Sequence, residues 1–417
     1  MNHKLSVAVV FHYVGPYHHA RLNAAADRLS VTGIEWSAKG CEAWGEADSP
    51  ARYNKVSLFA EATAQYPAKA ELQRAFWKAL EQTNPDVVAV NGWNNFGSLI
   101  AANCCIRRGI PMVVMSESAK QDERRVWWKE MVKRWIVGIY SAALVGGQRH
   151  VDYLVELGMT HQRIFTGYDV VDNKYFRQRA EELRSQESEV RQKYRLPENY
   201  FLASARFIEK KNLLRLIRAY AEYRQRSQGT GVADPGYNGR APWDLVLLGD
   251  GPLRETLNAQ LSTLDLHQHV HLPGFKPYQE LPAYYGLAKA FVHVSTSEQW
   301  GLVVNEAIAS SLPVVVSNRC GCAPELINGN GFTFDPFDEK ALAERLLKIA
   351  SLSDEERKSL SDASYATSTN FGAERFGEGL EQAARVALNR HGETALVDRA
   401  LIIAISNVLP LQRSNPR

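Results

Sequence analysis

The stretch Glu298-Gln-Trp-Gly301-Leu302-Val303-Val-Asn-Glu306 sets two carboxylates with seven residues between them. It follows the apolar run Ala290-Phe-Val-His-Val-Ser295 and leads through Ala307-Ile-Ala-Ser-Ser311 into a second apolar run, Leu312-Pro-Val-Val-Val-Ser317. Short apolar runs on either side of a helix-length segment predict strand, turn, helix, strand. Glu298 then lies on the turn and Glu306 inside the helix. A helix start carries unpaired backbone N–H groups and a partial positive charge, so the turn at Gly301, Leu302 and Val303 suits a diphosphate. Glu306, about one turn further on, can accept hydrogen bonds from adjacent ribose hydroxyls, while Glu298 faces whatever hangs from the far phosphate. A sugar fits that place. A Glu beside a helix start can also be a mere dipole partner worth ~0.3–1 kcal/mol, so the reading depends on the rest of the chain.

At 417 residues the chain exceeds the ~250–300 residues at which single cores stop growing, which predicts two domains. The balance of 49 Lys and Arg against 46 Asp and Glu gives no global footprint for nucleic acid, and any membrane contact must be local. The run Leu5-Ser-Val-Ala-Val-Val-Phe11 enters a Gly15-Pro16 turn without a small-residue cleavage site, so it predicts a first buried strand rather than a signal peptide. No apolar run approaches the ~20 residues that span a bilayer. Five cysteines, two adjacent (Cys104, Cys105) and two in Cys320-Gly-Cys322, give neither a disulfide framework nor paired zinc spacing. A reducing, cytoplasmic compartment is expected.

The first half predicts strand 5–14, helix 17–30, helix 68–83, strand 86–91, helix 96–108, strand 110–115, helix 123–140 and strand 143–145. Apolar strands interleaved with helices argue for a parallel sheet covered on both faces. A charged connector helix is expected over 178–195. A second series follows: strand 200–205, helix 212–226, strand 244–248, helix 252–262, strands 269–272 and 290–295, helix 303–311, strand 313–317. The turn-rich segment 227–243 reads as a surface insertion. Phe371, Phe376, Leu380, Ala384 and Val386 give 371–390 an amphipathic helical spacing, long enough to cross between domains. The apolar stretch 395–405 is expected to be a packing helix rather than an anchor.

Arg206 and Lys211, five apart where a strand ends and a helix begins, sit where open α/β sheets bind ligands and could converge on one anion. Leu247-Leu-Gly249-Asp-Gly251-Pro252 is a second strand end with a Gly-rich turn and Pro at a helix start, but it lacks the spacing of a dinucleotide fingerprint or a phosphate loop.

Taken in order, Arg206 with Lys211, Gly249-Asp-Gly-Pro252, His271-Leu-Pro-Gly274-Phe, the Glu298/Glu306 pair, Cys320-Gly-Cys-Ala-Pro324-Glu325 and Asn330-Gly-Phe332 resemble the family-4 retaining glycosyltransferases of the GT-B fold. The likeness is specific across roughly 200–335 and fainter in the first half. It implies two facing Rossmann-like domains with parallel sheets and a C-terminal helix crossing back: 1–176 on the acceptor side, 177–370 binding the nucleotide sugar, and 371–417 packing on the first. It also implies that Arg206 and Lys211 neutralise the diphosphate, that Glu306 holds the ribose, that Glu298 bonds sugar hydroxyls, and that Gly301, Leu302, Val303 and Gly249 line the donor. Charge developing on the departing phosphate would then be met by fixed cations and N–H dipoles, with no metal and no cofactor needed. Domain closure would exclude water. The implied reaction moves a sugar from a nucleotide diphosphate sugar, UDP before GDP, to a hydroxyl of a glycan or lipid-linked glycan.

Relatives carry a Gly-Gly loop after the first strand; here Tyr13-Val-Gly15-Pro-Tyr-His18-His19 has one Gly and a Pro. Gly15 could still approach the diphosphate, and His18 and His19 are acceptor- or sugar-side candidates. Where many relatives place a His, this chain has Asn91, which can bond a hydroxyl but cannot exchange a proton near neutral pH. Glu117 is a substitute. Residues 123–135 interleave Arg125, Trp127, Trp128, Lys129, Lys133, Arg134 and Trp135, a pattern that fits either peripheral contact with the inner membrane face or core packing with snorkelling cations. Two other readings stay open: a sugar-nucleotide epimerase on the same architecture, or a non-catalytic nucleotide-sugar-binding partner, which Asn91 keeps alive.

Overall fold

The computed structural model describes residues 4–36, 45, 49–59, 67–93, 95–123, 125–228 and 241–390. The stretch 395–405 and most of the insertion 227–243 lie outside them. The chain divides into two compact units, Met1–Val171 with Ala373–Arg417, and Asp172–Gly372.

The first unit runs β1 (Ser6–Phe11), α1 (Pro16–Ala26), β2 (Ser30–Glu35), β3 (Asn54–Ser57), α2 (Lys69–Thr83), β4 (Val87–Asn91), α3 (Phe96–Arg108), β5 (Met112–Ser116), α4 (Trp127–Gly138), β6 (Ala142–Val145), α5 (Gln148–Glu156) and β7 (Ile164–Thr166). Among the described residues its strands form one parallel sheet ordered β3-β2-β1-β4-β5-β6-β7. The strand order reverses between β1 and β4, the place where such sheets bind ligands.

Both faces are covered, which is why the strands are apolar without alternation. Ala8 and Val10 join the core built with α2, α3 and α5, while Val7, Val9 and Phe11 face a second core holding Leu22 and Ala25 of α1. That second core needs the end of the chain. Helix α15 (Ala373–Asn389) supplies Phe376, Leu380, Ala383, Ala384 and Ala387 to it, and so packs on the first sheet.

Four strands were not foreseen: β2, β3, β7 and a strand at Gly331–Phe334. The expected helix over 17–30 ends early, at Ala26, and Ser30-Val-Thr-Gly-Ile-Glu35, whose last five residues belong to no expected element, forms β2. The β-branched Val31, Thr32 and Ile34 pack better on a pleated surface than on a helix. β3, half polar and mostly exposed, gave no apolar run to detect. Phe371 also departs from its expected stripe: it precedes α15, and its ring lies 6.5 Å from that of Trp300 in the second unit.

The second unit begins with α6 (Asn173–Ser185) and α7 (Glu187–Tyr194), two helices broken at Gln186 where one connector was expected. It continues with β8 (Tyr200–Ser204), α8 (Leu213–Ser227), β9 (Asp244–Leu248), α9 (Arg254–Thr263), β10 (Val270–Gly274), α10 (Leu281–Leu287), β11 (Ala290–His293), α11 (Leu302–Ala309), β12 (Val314–Ser317), α12 (Ala323–Leu326), β13 (Gly331–Phe334), α13 (Glu339–Ser351) and α14 (Asp354–Ser368). The sheet is parallel and ordered β10-β9-β8-β11-β12-β13, reversing between β8 and β11. Leu202 to Ser204, Val292, His293 and Val316 thus end side by side, which brings the three following turns together.

Candidate functional site

The turn after β11 is held from several sides. Gly301 has φ +109° and ψ 63°, a left-handed conformation that a side chain strains, and a Cβ there would stand 2.8 Å from the Cys320 sulfur. The segment after β12 clasps this turn: Gly321 N–H donates to the Glu298 carbonyl at 2.9 Å, and Cys322 N–H to the Trp300 carbonyl at 3.1 Å. The Cys320 thiol donates to the same Trp300 carbonyl at 2.8 Å. Trp300, buried, donates from Nε1 to Asn305 Oδ1 at 2.8 Å and ties the turn to the helix it opens. Leu302 and Val303, at the amino end of α11, remain only half-buried. Their position leaves backbone N–H groups at a helix start fixed before any ligand arrives.

Lys211 reaches this turn from the end of β8. Asn212 follows it in the left-handed region (φ +61°), which Asn tolerates, and donates from Nδ2 to the carbonyls of Val294 at 3.1 Å and Pro336 at 2.7 Å. Thr296 N–H donates to Lys210 O at 2.9 Å. Lys211 Nζ is thereby set against Glu298 Oε2 in an ion pair whose side chains are 11% and 14% exposed. Ser295 Oγ donates to the same oxygen at 3.2 Å, and His293 Nε2 stands 3.3 Å from it. Burial opposes charge on Glu298, but His293 and Lys211 outweigh it and hold the carboxyl far below the usual carboxylate range. His293 is likewise opposed by burial and raised by hydrogen bonds to Cys320 and Glu298, to about 9. At neutral pH the cluster is an ionised carboxylate between two cations.

Arg206, on the turn after β8, is exposed, and its side chain engages no acceptor among the described residues. Gly249 has a task within the fold. At φ +122° it lets the β9 turn lie on the β8 turn so closely that a Cβ would stand 1.8 Å from the Ala205 carbonyl oxygen. Phe207 N–H donates to Asp250 O at 2.8 Å across the same contact. The Gly-rich turn therefore fixes the loop that carries Arg206. Glu306 lies on α11, which packs against α6 and α14, and its residue is 1% exposed.

In the first unit the strand ends gather a second polar group. Asn91 closes β4 and accepts from the Tyr168 hydroxyl at 3.0 Å. Glu117, half-buried, follows β5. Asp169, 1% exposed, has its carboxyl pushed well above the ordinary range by burial and by Glu117, against the pull of Arg21, whose Nη2 is 3.9 Å away. Arg21 itself turns its Nε onto the Val170 carbonyl at 3.0 Å. His18 packs on Phe11 with ring centres 4.1 Å apart, and burial, with Arg21 nearby, pushes its imidazole down to about 3. His19 spends both ring nitrogens on Tyr53, Ser49 and Asn23, which ties α1 to 49–53. Gly15 caps α1 in extended backbone at φ −86°, so nothing in its conformation demands glycine.

Helix α4 buries only Ile136 and Val137. Trp127 is 77% and Trp128 51% exposed, with Met131 and Trp135 at 39% each. Arg125 and Lys133 are drawn into an ion-pair cluster with Glu123, Glu130 and Tyr153, whereas Lys129 and Arg134 face outward. Among the described residues no helix is long and apolar enough to cross a membrane.

The sequence pattern brought together Lys211 and Glu298 but passed over His293, Ser295, Cys320 and Asp169. A histidine inside an otherwise apolar buried strand, five residues before a glutamate, was the signal available for the first.

Residues 186–367 match the family model described as glycosyl transferases group 1. The chain is 31% identical over 157 residues to probable sucrose-phosphate synthase 2 of Oryza sativa subsp. japonica, covering 36% of this chain and 16% of that protein. It is 32% identical over 130 residues to a GDP-mannose-dependent alpha-(1-6)-phosphatidylinositol monomannoside mannosyltransferase of Mycolicibacterium smegmatis, covering 30% of each. The aligned stretches thus span less than a third of either relative. The crystal structure of Anabaena HepE in complex with UDP is similar with a TM-score of 0.65 at 16% identity, over 90% of this chain and 98% of that one. The architecture is the GT-B fold, two Rossmann-like units with parallel sheets.

Proposed function

We propose that this chain is a retaining, metal-independent glycosyltransferase that moves a sugar from a nucleotide diphosphate sugar, UDP before GDP, to a hydroxyl of a glycan or lipid-linked glycan. The carrying observation is the turn at 298–303, where an ionised Glu298 held by Lys211 stands beside the amino end of α11. The group 1 match over the same stretch and the UDP complex of a structurally similar protein support it. In this reading the N–H groups of Gly301, Leu302 and Val303 take the diphosphate, and Arg206, together with Lys211 from its ion pair with Glu298, opposes the charge that grows on it as the anomeric C–O bond breaks. Glu298, ionised and acceptor-only, takes hydroxyl protons of the sugar. Glu306 takes the ribose. The acceptor hydroxyl falls to the first unit, near Asn91 and Glu117, and its proton goes to the leaving phosphate, since Asn91 cannot take it.

The three exposed tryptophans and outward Lys129 and Arg134 of α4 support peripheral attachment to an anionic lipid surface, which suits a lipid-linked acceptor. Sedimentation with phosphatidylglycerol vesicles checks this: the full chain should pellet with them, and Trp127→Ser with Trp128→Ser should not.

A thermal-shift screen against UDP, GDP and their common sugars tests the donor, since a ligand at a hundred times its Kd adds ~2.7 kcal/mol. Product anomers read by NMR test retention. Glu306→Ala should mainly weaken nucleotide binding, and Arg206→Ala should mainly lower turnover. Donor epimerised without acceptor, or bound without transfer or hydrolysis, would replace this reading with an epimerase or a binding partner.

A further inference from the structure

The strand β11 is Ala290-Phe-Val-His293, buried throughout, and His293 is 3% exposed. Packing gives no reason for an imidazole there, and a charged one is costly to bury unless it is held. Its holders are specific. Cys320 shares a hydrogen bond with the ring, and its sulfur stands 2.8 Å from the Trp300 carbonyl oxygen; on the other side Nε2 meets Glu298 Oε2 at 3.3 Å. Trp300 and Glu298 belong to one turn, so His293 grips that turn at two points.

All three donors to Glu298 use the same oxygen. Lys211 comes from the β8 turn, Ser295 from beyond β11, and His293 from β11 itself, and each meets Oε2. Among the described residues no donor reaches Oε1. An ionised carboxylate offers about four lone-pair sites across two oxygens, and this one has its internal contacts gathered on one of them.

We propose that His293, held by Cys320, is a positioning residue that locks Glu298 so that Oε2 is used within the protein and Oε1 is the oxygen offered to the hydroxyls of the donor sugar. This rests on the transferase reading of the site. It adds a residue outside the paired acids that decides whether the site distinguishes a nucleotide sugar from the bare nucleotide. His293 does not touch the sugar; it acts through Glu298.

The groups facing the imidazole are Glu298 on its turn, Ser295 on its own strand extension and Cys320 beyond β12, with Lys211 on the far side of the shared oxygen and Cys322 3.4 Å behind Cys320. Loss of the His293 charge, expected as pH passes about 9, loosens Glu298 without altering the helix start that binds phosphate.

Calorimetric titration of the full chain with UDP and UDP-glucose, and in parallel with GDP and GDP-mannose, separates the outcomes. For the pair that binds, His293→Ala should weaken the nucleotide sugar about tenfold and the bare diphosphate less than about twofold. His293→Gln, which keeps a neutral donor, should recover most of the loss. Above pH 9 wild type should lose preference for the sugar, whereas His293→Gln should not, a difference to which Lys211 contributes equally in both proteins. Sugar and diphosphate weakened in the same proportion, no rescue by Gln, or identical pH curves would overturn the positioning role. If His293→Ala does not fold, the Gln variant and the pH comparison still decide. Glu298→Gln is the reference: if it leaves the sugar-to-diphosphate ratio of wild type unchanged, Glu298 does not hold the sugar and the site reading falls with the proposal. If Glu298→Gln changes the ratio and the His293 variants do not, only the proposal falls.

Discussion

At the ends of β8 and β11 charged side chains meet in pairs, Lys211 and His293 on Glu298, whereas at the ends of β1, β4 and β7 most polar side chains are held neutral. Lys211 and His293 meet Glu298 on one carboxylate oxygen; both cations hold that carboxyl ionised, and Glu298 in turn helps to keep His293 protonated. In the first unit burial wins instead: His18 is pushed down, Asp169 and Tyr168 are pushed up, and Arg21, the one buried cation among the described residues of that unit, is spent on a backbone carbonyl. The same sheet architecture therefore yields two kinds of site. A cluster of fixed charges favours a charged ligand whose charge changes during reaction; a cluster of neutral donors and acceptors favours a ligand that brings only hydroxyls. The division of labour proposed for the two units follows from that difference.

The largest expected effect breaks the charged side of the comparison. Lys211→Ala removes one cation from Glu298 and, in the proposed site, from the diphosphate, so the transfer rate at saturating donor should fall by roughly 10²–10³, with His293 still holding the carboxylate. A rate within about twofold of wild type would mean that the charges at this turn stabilise the fold and not the reaction.

Next comes the frame beneath those charges. Gly249→Ala places a Cβ 1.8 Å from the Ala205 oxygen at a backbone φ of +122°, which should cost about 2–4 kcal/mol from the strained backbone together with overpacking. Urea unfolding checks it. The loss should appear in the second unit and move Arg206, so that turnover falls even in the fraction that remains folded. Unchanged stability would mean that the β8 turn can retreat, and that the preset geometry assigned to this side is not rigid.

This glycine also marks how far the sequence could be read. Strand, turn and helix around 298–306 were legible because β11, α11 and β12 have apolar runs of the right lengths, and the second sheet followed from repetition of that unit. Gly249 was recognisable as a turn residue, but its close approach to Ala205 depends on two turns meeting in space. The approach of Lys211 to Glu298 across 87 positions of chain was an expectation carried by resemblance; the convergence of His293 on the same oxygen had no periodic signature. In the first unit β2 was hidden because its half-polar sequence continues α1 without a helix stop signal, and the neutral state of Asp169 depends wholly on burial, which no local pattern encodes.

A smaller effect tests the neutral side. Asp169 has its pKa raised in the folded chain, so folding takes up a proton there; the associated stability is present at low pH and is lost as pH rises through the elevated value. Asp169→Asn keeps the shape and removes the titration. Thermal unfolding followed from pH 5 to pH 9 should fall less steeply for the variant than for wild type. Equal slopes would mean that Arg21, 3.9 Å away, keeps the carboxylate ionised, and the contrast between the two units would narrow to His18 and Tyr168.

The smallest effect is expected at His18. Its imidazole, pushed down to about 3 by burial and by Arg21, stays neutral at any pH where the protein would work, and so cannot add charge to a diphosphate as pH falls. A free histidine would gain that charge near its ordinary value of ~6.5, and donor affinity would then rise on acidification. Titrating UDP into wild type and into His18→Phe, which retains the contact with Phe11, should give two curves between pH 5 and pH 8 that differ by a constant of less than about twofold. A difference that grows toward pH 5 would place a cation at the start of α1, and the first unit would then share in binding phosphate instead of leaving that charge to the turns after β8 and β11.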